Sequence, residues 1–224
     1  MHMKISLIII FAALLLLLSS CKNNNSSITA DSTTTEIAGE IAGMKSTVIS
    51  YTMEMQAEGV KSVTLATQWI DIKNDRFASE MTTETEMMGS KTKSSTIIIS
   101  ADGWEYILNP DTKTGMKIKS GKADEDDPFE NIKPEDEQTF RQMIEKEGGK
   151  IVGNEDFLGK NCIIVEMIIE EQTTRMWYYK GIPLKISNPE QSMEATKFEE
   201  NVSIPDNVFS VPAEYKISEM PDMD

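Results

Sequence analysis

Histidine is almost missing from this chain: His2 is the only one, and the cysteines number two, Cys21 and Cys162. Beyond position 2 the chain therefore lacks the means for Ser-His-Asp or Cys-His catalysis, and for the usual histidine-bearing zinc and non-haem iron sites. Long apolar runs are scarce too. The one present, Ile5 to Leu18, is shorter than the roughly 18 to 20 residues a bilayer-spanning helix needs, and no later segment approaches that length. Basic residues are few: 22 lysines and arginines face 37 acids, a net charge of −15. A field of that sign repels nucleic acid and anionic membrane surfaces, so neither is an expected partner.

The beginning of the chain is ordered like an export signal. Lys4 precedes the apolar run, and Leu18-Ser19-Ser20-Cys21 closes it, a sequence that looks like a bacterial lipobox in which the peptidase cuts before a diacylated cysteine. Residues 1–20 are read as the lipoprotein signal peptide and Cys21 as the lipidation site. Two or more acyl chains make such an anchoring stable. The asparagine- and serine-rich residues 21–35 form a flexible tether, and residues 218–224 a tail. Loss of the signal removes Lys4 and leaves 21 basic against 37 acidic residues, a net charge of −16. With Cys21 acylated, Cys162 has no partner for an intramolecular disulfide. Its setting in Asn161-Cys162-Ile163-Ile164-Val165 fits a small core residue better than a nucleophile.

Most of the remainder alternates with a period of two. Ile49, Tyr51, Met53 and Met55 fall on one side of a strand and Ser50, Thr52 and Glu54 on the other. Similar segments run over 63–72, 76–87, 93–101, 104–108 and 116–119, and again over 161–170, 174–179, 183–186 and 193–202. Lys73-Asn74-Asp75, Ser100-Ala101-Asp102-Gly103 and the stretch Asn109 to Gly115 supply turns between them. Two segments have helical spacing instead. Pro134-Glu135-Asp136-Glu137 suits a helix amino terminus, Phe140, Met143 and Ile144 form its apolar stripe, and Gly148-Gly149 ends it. Ile37, Ile41 and Met44 predict a short helix ahead of the first strand. The pattern predicts a single α+β domain over residues 36–217: a strongly curved antiparallel sheet with helices on its concave side.

Several of these segments resemble a known family. Met44-Lys45-Ser46, Trp69-Ile70-Asp71, Ala101-Asp102-Gly103-Trp104-Glu105-Tyr106 and Asp111-Thr112-Lys113-Thr114-Gly115-Met116-Lys117 are similar to uncharacterised envelope lipoproteins related to the outer-membrane lipoprotein carriers, the LolA/LolB-like superfamily. So are Gly153-Asn154-Glu155-Asp156-Phe157-Leu158-Gly159-Lys160-Asn161-Cys162 and the closing Ile204-Pro205-Asp206-Asn207-Val208-Phe209-Ser210-Val211-Pro212. The resemblance covers Met44 to Tyr215 and implies an unclosed antiparallel half-barrel, lidded by helices, whose concave face shelters acyl chains. Those carriers use an arginine on an early strand to hold the lid. Here Val63 to Ile72 contains none, and Arg76 lies past the following turn.

Other constellations bear on chemistry. Thirteen of the 15 methionines follow the signal; unbranched thioethers adapt to an irregular apolar ligand, and equally fill a core. A methionine-only copper(I) site lacks a repeated Met-x-x-Met cluster. Asp124 to Asp127 with Glu130 lacks the ligand spacing of a calcium loop and reads as a solvated connection. Trp69, Trp104 and Trp177 either line a pocket or pack across strands. No carboxylate pair stands out for glycoside hydrolysis. The reading is thus a non-enzymatic protein without cofactor or metal, monomeric, lipid-anchored in the bacterial envelope, most simply at the outer membrane facing the periplasm, as the lack of aspartate after Cys21 fits. It is expected to bind an apolar molecule, a lipid or an acylated protein, in a cavity lined by Ile49, Tyr51, Met53, Met55, Leu65, Ile97, Ile99, Ile163, Val165 and Met167. The alternative is an interaction or sensor module that holds a protein partner while its own side chains fill the core.

Overall fold

A computed structural model describes residues 43–57, 59–119, 137–169 and 171–219, with backbone alone at 137–139. The signal peptide, Cys21, the tether, Ile37, Ile41 and the acidic run 124–127 lie outside these residues. Among the described residues twelve strands form one sheet: β1 (Ser46–Ala57), β2 (Val60–Asp71), β3 (Arg76–Met87), β4 (Ser90–Ala101), β5 (Trp104–Asn109), β6 (Thr114–Lys119), β7 (Lys150–Phe157), β8 (Lys160–Ile169), β9 (Gln172–Tyr179), β10 (Ile182–Ser187), β11 (Gln191–Glu200) and β12 (Lys216–Glu219). Their order is β12-β6-β5-β4-β3-β2-β1-β11-β10-β9-β8-β7. Two meanders, β1 to β6 and β7 to β11, are joined side by side where β1 pairs antiparallel with β11. Strand β12 adds to β6 in the parallel sense. The sheet does not close on itself, so β7 and β12 are its edges.

The expected α+β class is corrected by this architecture. Among the described residues strand makes up 69% and helix 7%, so they are nearly all sheet and show no helical layer on a concave side. One α-helix occurs among the described residues, α1 (Glu137–Lys146). Two further departures concern strands with weak sequence patterns. Residues 150–157 form β7 although Gly153-Asn154-Glu155-Asp156 carries no apolar alternation, and β12 extends to Glu219, inside the stretch read as a tail. Both are edge strands, where charged side chains discourage pairing with another chain, so a polar sequence is what an edge tolerates.

Tight turns make the meanders possible. The hairpins β3–β4, β4–β5, β7–β8 and β9–β10 each turn through two residues, Met88-Gly89, Asp102-Gly103, Leu158-Gly159 and Lys180-Gly181, all with positive φ. That is the turn whose twist matches the strands, and it requires glycine or a residue that accepts the left-handed region. Helix α1 ends at Gly148, φ 79°, and Gly149 N–H donates to the Ile144 carbonyl at 2.8 Å. A Cβ on Gly149 would stand 2.7 Å from Ile144 Cγ2 and 3.3 Å from Val165 Cγ1, so close packing of α1 on β8 needs glycine there.

The two faces of the sheet have different fillings. One carries Ile49, Tyr51, Met53, Ala66 and Ile70 and continues across β8 to β11 through Ile163, Val165, Met176, Leu184, Ile186 and Met193. Phe140 and Ile144 of α1 pack into that cluster, Phe140 meeting the Tyr178 ring edge-on at 5.0 Å. On the other face Trp69, Ala78, Ile97, Ile99, Tyr106 and Leu108 are covered by the closing segment, through Ile204, Val208, Phe209, Val211, Tyr215 and Ile217. Arg76 fastens that segment. Its guanidinium donates to Asp71 at 2.6 Å and to Asp206 at 2.8 Å, and lies 4.4 Å from the Phe209 ring centroid. Burial pushes the Asp71 carboxyl up, but hydrogen bonds from Asn74 and Arg76 outweigh it and hold the group below its usual range. Arg76 thus serves the face opposite Tyr51.

Candidate functional site

The residues expected to line a cavity do not all share a surface. Ile49, Tyr51, Met53 and Met55 alternate on β1, and their register partners on β2 are Gln68, Ala66, Thr64 and Ser62. Ile163, Val165 and Met167 extend the same surface through β8, with Tyr178, Met176 and Thr174 opposite them. Leu65, Ile97 and Ile99 lie on the reverse of the sheet. Leu65 pairs with Thr52 and is 57% exposed, whereas Ile97 and Ile99 belong to the cluster under the closing segment. The run Ile97-Ile98-Ile99 conceals this in the sequence, because three consecutive isoleucines show no alternation. Of the three, Ile98 is on the Tyr51 face, paired with Ser79.

That face divides into a sealed and a half-open part. Ile49, Tyr51, Met53, Ile163 and Val165 are shut off from solvent. The Tyr51 hydroxyl donates to the Pro183 carbonyl at 3.1 Å, and burial pushes its pKa well above the usual value. Met55, Thr64, Met81, Thr83, Thr85 and Thr96 are only half buried. Their register aligns them across β1 to β4, as in Met53-Thr64-Thr83-Ser94 and Ala66-Met81-Thr96. Thr64 and Thr83 hydroxyls meet at 2.8 Å and those of Ser62 and Thr85 at 3.3 Å.

Charge is absent from this surface over four strands. Every Asp, Glu, Lys and Arg of β1 to β4, namely Glu54, Lys61, Asp71, Arg76, Glu80, Glu84, Glu86, Lys91 and Lys93, falls on the opposite face by register. There Lys91 pairs with Glu86 at 3.4 Å and Lys93 with Glu84 at 3.3 Å. In a sequence that is 26% charged, half-exposed and exposed positions such as Thr83, Thr92 and Ser94 would ordinarily accept lysine or glutamate. Sequence reading missed this asymmetry. The signal was present in Met81-Thr82-Thr83-Glu84-Thr85-Glu86-Met87, where the glutamates keep strict alternation with threonine and methionine.

Beyond these four strands the first charges on the Tyr51 face are Glu200 of β11, opposite Thr47 and paired with Lys160 and Lys180, and Glu105 of β5, level with Ser100 and Ile118. Among the described residues Glu105 has no such cation beside it. Burial raises its carboxyl pKa above the usual value. Because the folded pKa is the higher, folding favours the protonated form; that contribution is complete below the ordinary carboxylate range and is lost as pH rises through the raised value. Glu105→Gln should therefore unfold at a higher temperature than the parent at pH 7, with the difference vanishing near pH 4. Thermal unfolding across that range checks it, and a variant less stable than the parent at pH 7 would refute it.

Other candidates are dispersed. Trp69, Trp104 and Trp177 stand on β2, β5 and β9 and form no common platform: Trp69 joins the cluster under the closing segment, Lys117 Nζ lies 4.2 Å from the Trp104 ring, and Trp177 Nε1 donates to Glu155 at 3.1 Å. Cys162 is buried and donates to the Lys160 carbonyl at 3.5 Å. Burial pushes its thiol up, with Asp156 and Glu155 acting in the same direction, which disfavours the nucleophilic thiolate. Among the described residues no group of three or more His, Cys, Asp and Glu side chains is placed to hold a metal ion. No helix among them is long and apolar enough to cross a membrane.

No protein-family model matches the chain, and no curated protein matches it. Solved structures with a similar arrangement include an uncharacterized conserved protein from Thermus thermophilus, at 7% identity and a TM-score of 0.49, covering 83% of this chain and 96% of that one. A DUF1329 family protein from Desulfovibrio piger matches at 10% identity and a TM-score of 0.34, over 76% of this chain and 91% of its own. LprF from Mycobacterium bovis matches at 10% identity and a TM-score of 0.35, over 74% and 90%. With each of these three TM-scores below one half, the likenesses carry no argument about what the chain does, and its functional reading rests on the sheet itself.

Proposed function

We propose that this protein is a lipid-anchored envelope protein of the outer-membrane lipoprotein carrier type, without enzymatic activity, that binds a lipid or another apolar molecule along the Tyr51 face. The observation that carries the reading is the charge-free surface of β1 to β4, which stays uncharged where it is half exposed and needs no such restraint for folding. Methionines Met55 and Met81 stand there beside threonines, so the surface is apolar enough to attract hydrocarbon and adaptable enough to fit an irregular chain. The sealed residues Ile49, Tyr51, Met53, Ile163 and Val165 favour a second reading, in which the core is complete and the same sheet holds a protein partner.

The two readings separate in one experiment. An apolar fluorescent probe should bind the detergent-free domain stoichiometrically and be displaced by phospholipid or fatty acid. Met81→Glu should reduce binding at least tenfold and leave folding largely intact, because a half-exposed carboxylate keeps most of its hydration. A wild type that takes up no probe would overturn the ligand-binding reading and leave the interaction module.

A further inference from the structure

Gln68 is wholly buried and Ser79 is 1% exposed, yet neither has a hydrogen-bond partner at Gln68 Nε2, Gln68 Oε1 or Ser79 Oγ. They are cross-strand neighbours on β2 and β3, flanked in register by Ile49 of β1 and Ile98 of β4, and all four belong to the Tyr51 face. Buried polar side chains almost always find partners, since leaving one unmade costs the desolvation of the group. Two adjacent orphans in one apolar surface therefore mark a place where something polar is to be received. Between them they offer three N–H or O–H donors and acceptor oxygens on both residues.

Resting on the ligand-binding reading above, we infer that Gln68 and Ser79 are the polar anchor of the site, and that the ligand is a neutral amphiphile whose head both donates and accepts hydrogen bonds, a hydroxyl or a primary amide. A carboxylate head fits poorly. It offers only acceptors and would leave Gln68 Oε1 unmatched; no cation stands on this face over β1 to β4, and the charges that flank it in register are both acids, Glu200 of β11 and Glu105 of β5. An ester head accepts but does not donate, so it too leaves Oε1 alone. The hydrocarbon tail would follow the register from Gln68 past Ala66 and Met81 toward Thr64 and Thr83, the half-open end.

The test compares four probes with the same chain on the delipidated, detergent-free domain: monoolein, oleamide, methyl oleate and oleate. Monoolein and oleamide are expected to bind about tenfold or more tightly than methyl oleate, with oleate weakest, because a site built to satisfy donors and acceptors rejects the analogue that lacks them. In the double variant Gln68→Met, Ser79→Ala that preference should fall to within about twofold while methyl oleate binding is kept. Thermal unfolding serves as the fold control, and the variant should melt no lower than the parent. Equal affinities in the wild type would overturn the inference and assign the orphaned atoms to a trapped water; so would a preference that survives in the double variant, or oleate binding best. Binding of none of the four would overturn the ligand-binding reading together with this one.

Discussion

Val165→Glu is expected to destabilise the domain by about 3 to 5 kcal/mol, the order of cost for an uncompensated buried charge, and to leave much of it unfolded at ambient temperature. Val165 is 0% exposed, opposite Ile151 on one side and Met176 on the other, with Gly149 of the α1 terminus against it. Ile151, Met176 and Gly149 offer no cation, so against them the carboxylate would be buried without a partner or be held protonated. A loss of this size is a large share of the ~5 to 15 kcal/mol that stabilises an ordinary domain. The measurement is the urea midpoint, followed by far-UV circular dichroism and tryptophan emission. Met81→Glu, on the half-open part of the same face, is the matched control and should move the midpoint little. A Val165→Glu variant with a parental midpoint would mean that the face under α1 is solvated, and the division into sealed and open parts would be wrong.

The second large effect concerns location. Replacing Cys21 by alanine should transfer the protein from the membrane fraction to the soluble one and abolish incorporation of labelled fatty acid, while unfolding of the domain is unchanged. The reason is chemical. The order of Lys4, the Ile5 to Leu18 run and Leu18-Ser19-Ser20-Cys21 looks like what a lipoprotein peptidase reads, and acyl chains added to that one cysteine would then be the attachment. With a net charge of −16 over residues 21–224, the domain would have no electrostatic attraction to an anionic bilayer to take over. Unchanged membrane association in the alanine variant, with no lipid label in the parent, would refute the anchor.

Much of the strand content was legible because alternation is a local property. Ile49, Tyr51, Met53 and Met55 announce β1 from the sequence, and Phe140, Met143 and Ile144 announce α1 equally well. The expected α+β class failed for a quantitative reason: a helical stripe reads as strongly as a strand, yet α1 is ten residues long against a sheet of twelve strands. Strand β7 was missed because a bulge between Ile151 and Gly153 breaks its period and its edge position tolerates polar residues. The anchor pair was within reach of the sequence, since Gln68 alternates with Ala66 and Ile70 and so shares their face. Its lack of partners was not, because that depends on what β1, β3 and β4 place around it.

By itself the sequence determined the properties that are covalent or local: the lipobox-like order of Leu18-Ser19-Ser20-Cys21, the lack of histidine beyond position 2, an acidic balance of charge and the period of two along its strands. Which side of each strand meets the core was decided only by tertiary structure. A strand pattern is symmetric between its two faces, and the choice is made by pairing between distant segments, as where β1 meets β11 and the closing segment settles on Trp69 and Ile99. That pairing separated Leu65, Ile97 and Ile99 from Tyr51, gathered the charges of four strands on one side, and left Gln68 and Ser79 together on the other, because register fixes neighbours that no local propensity specifies.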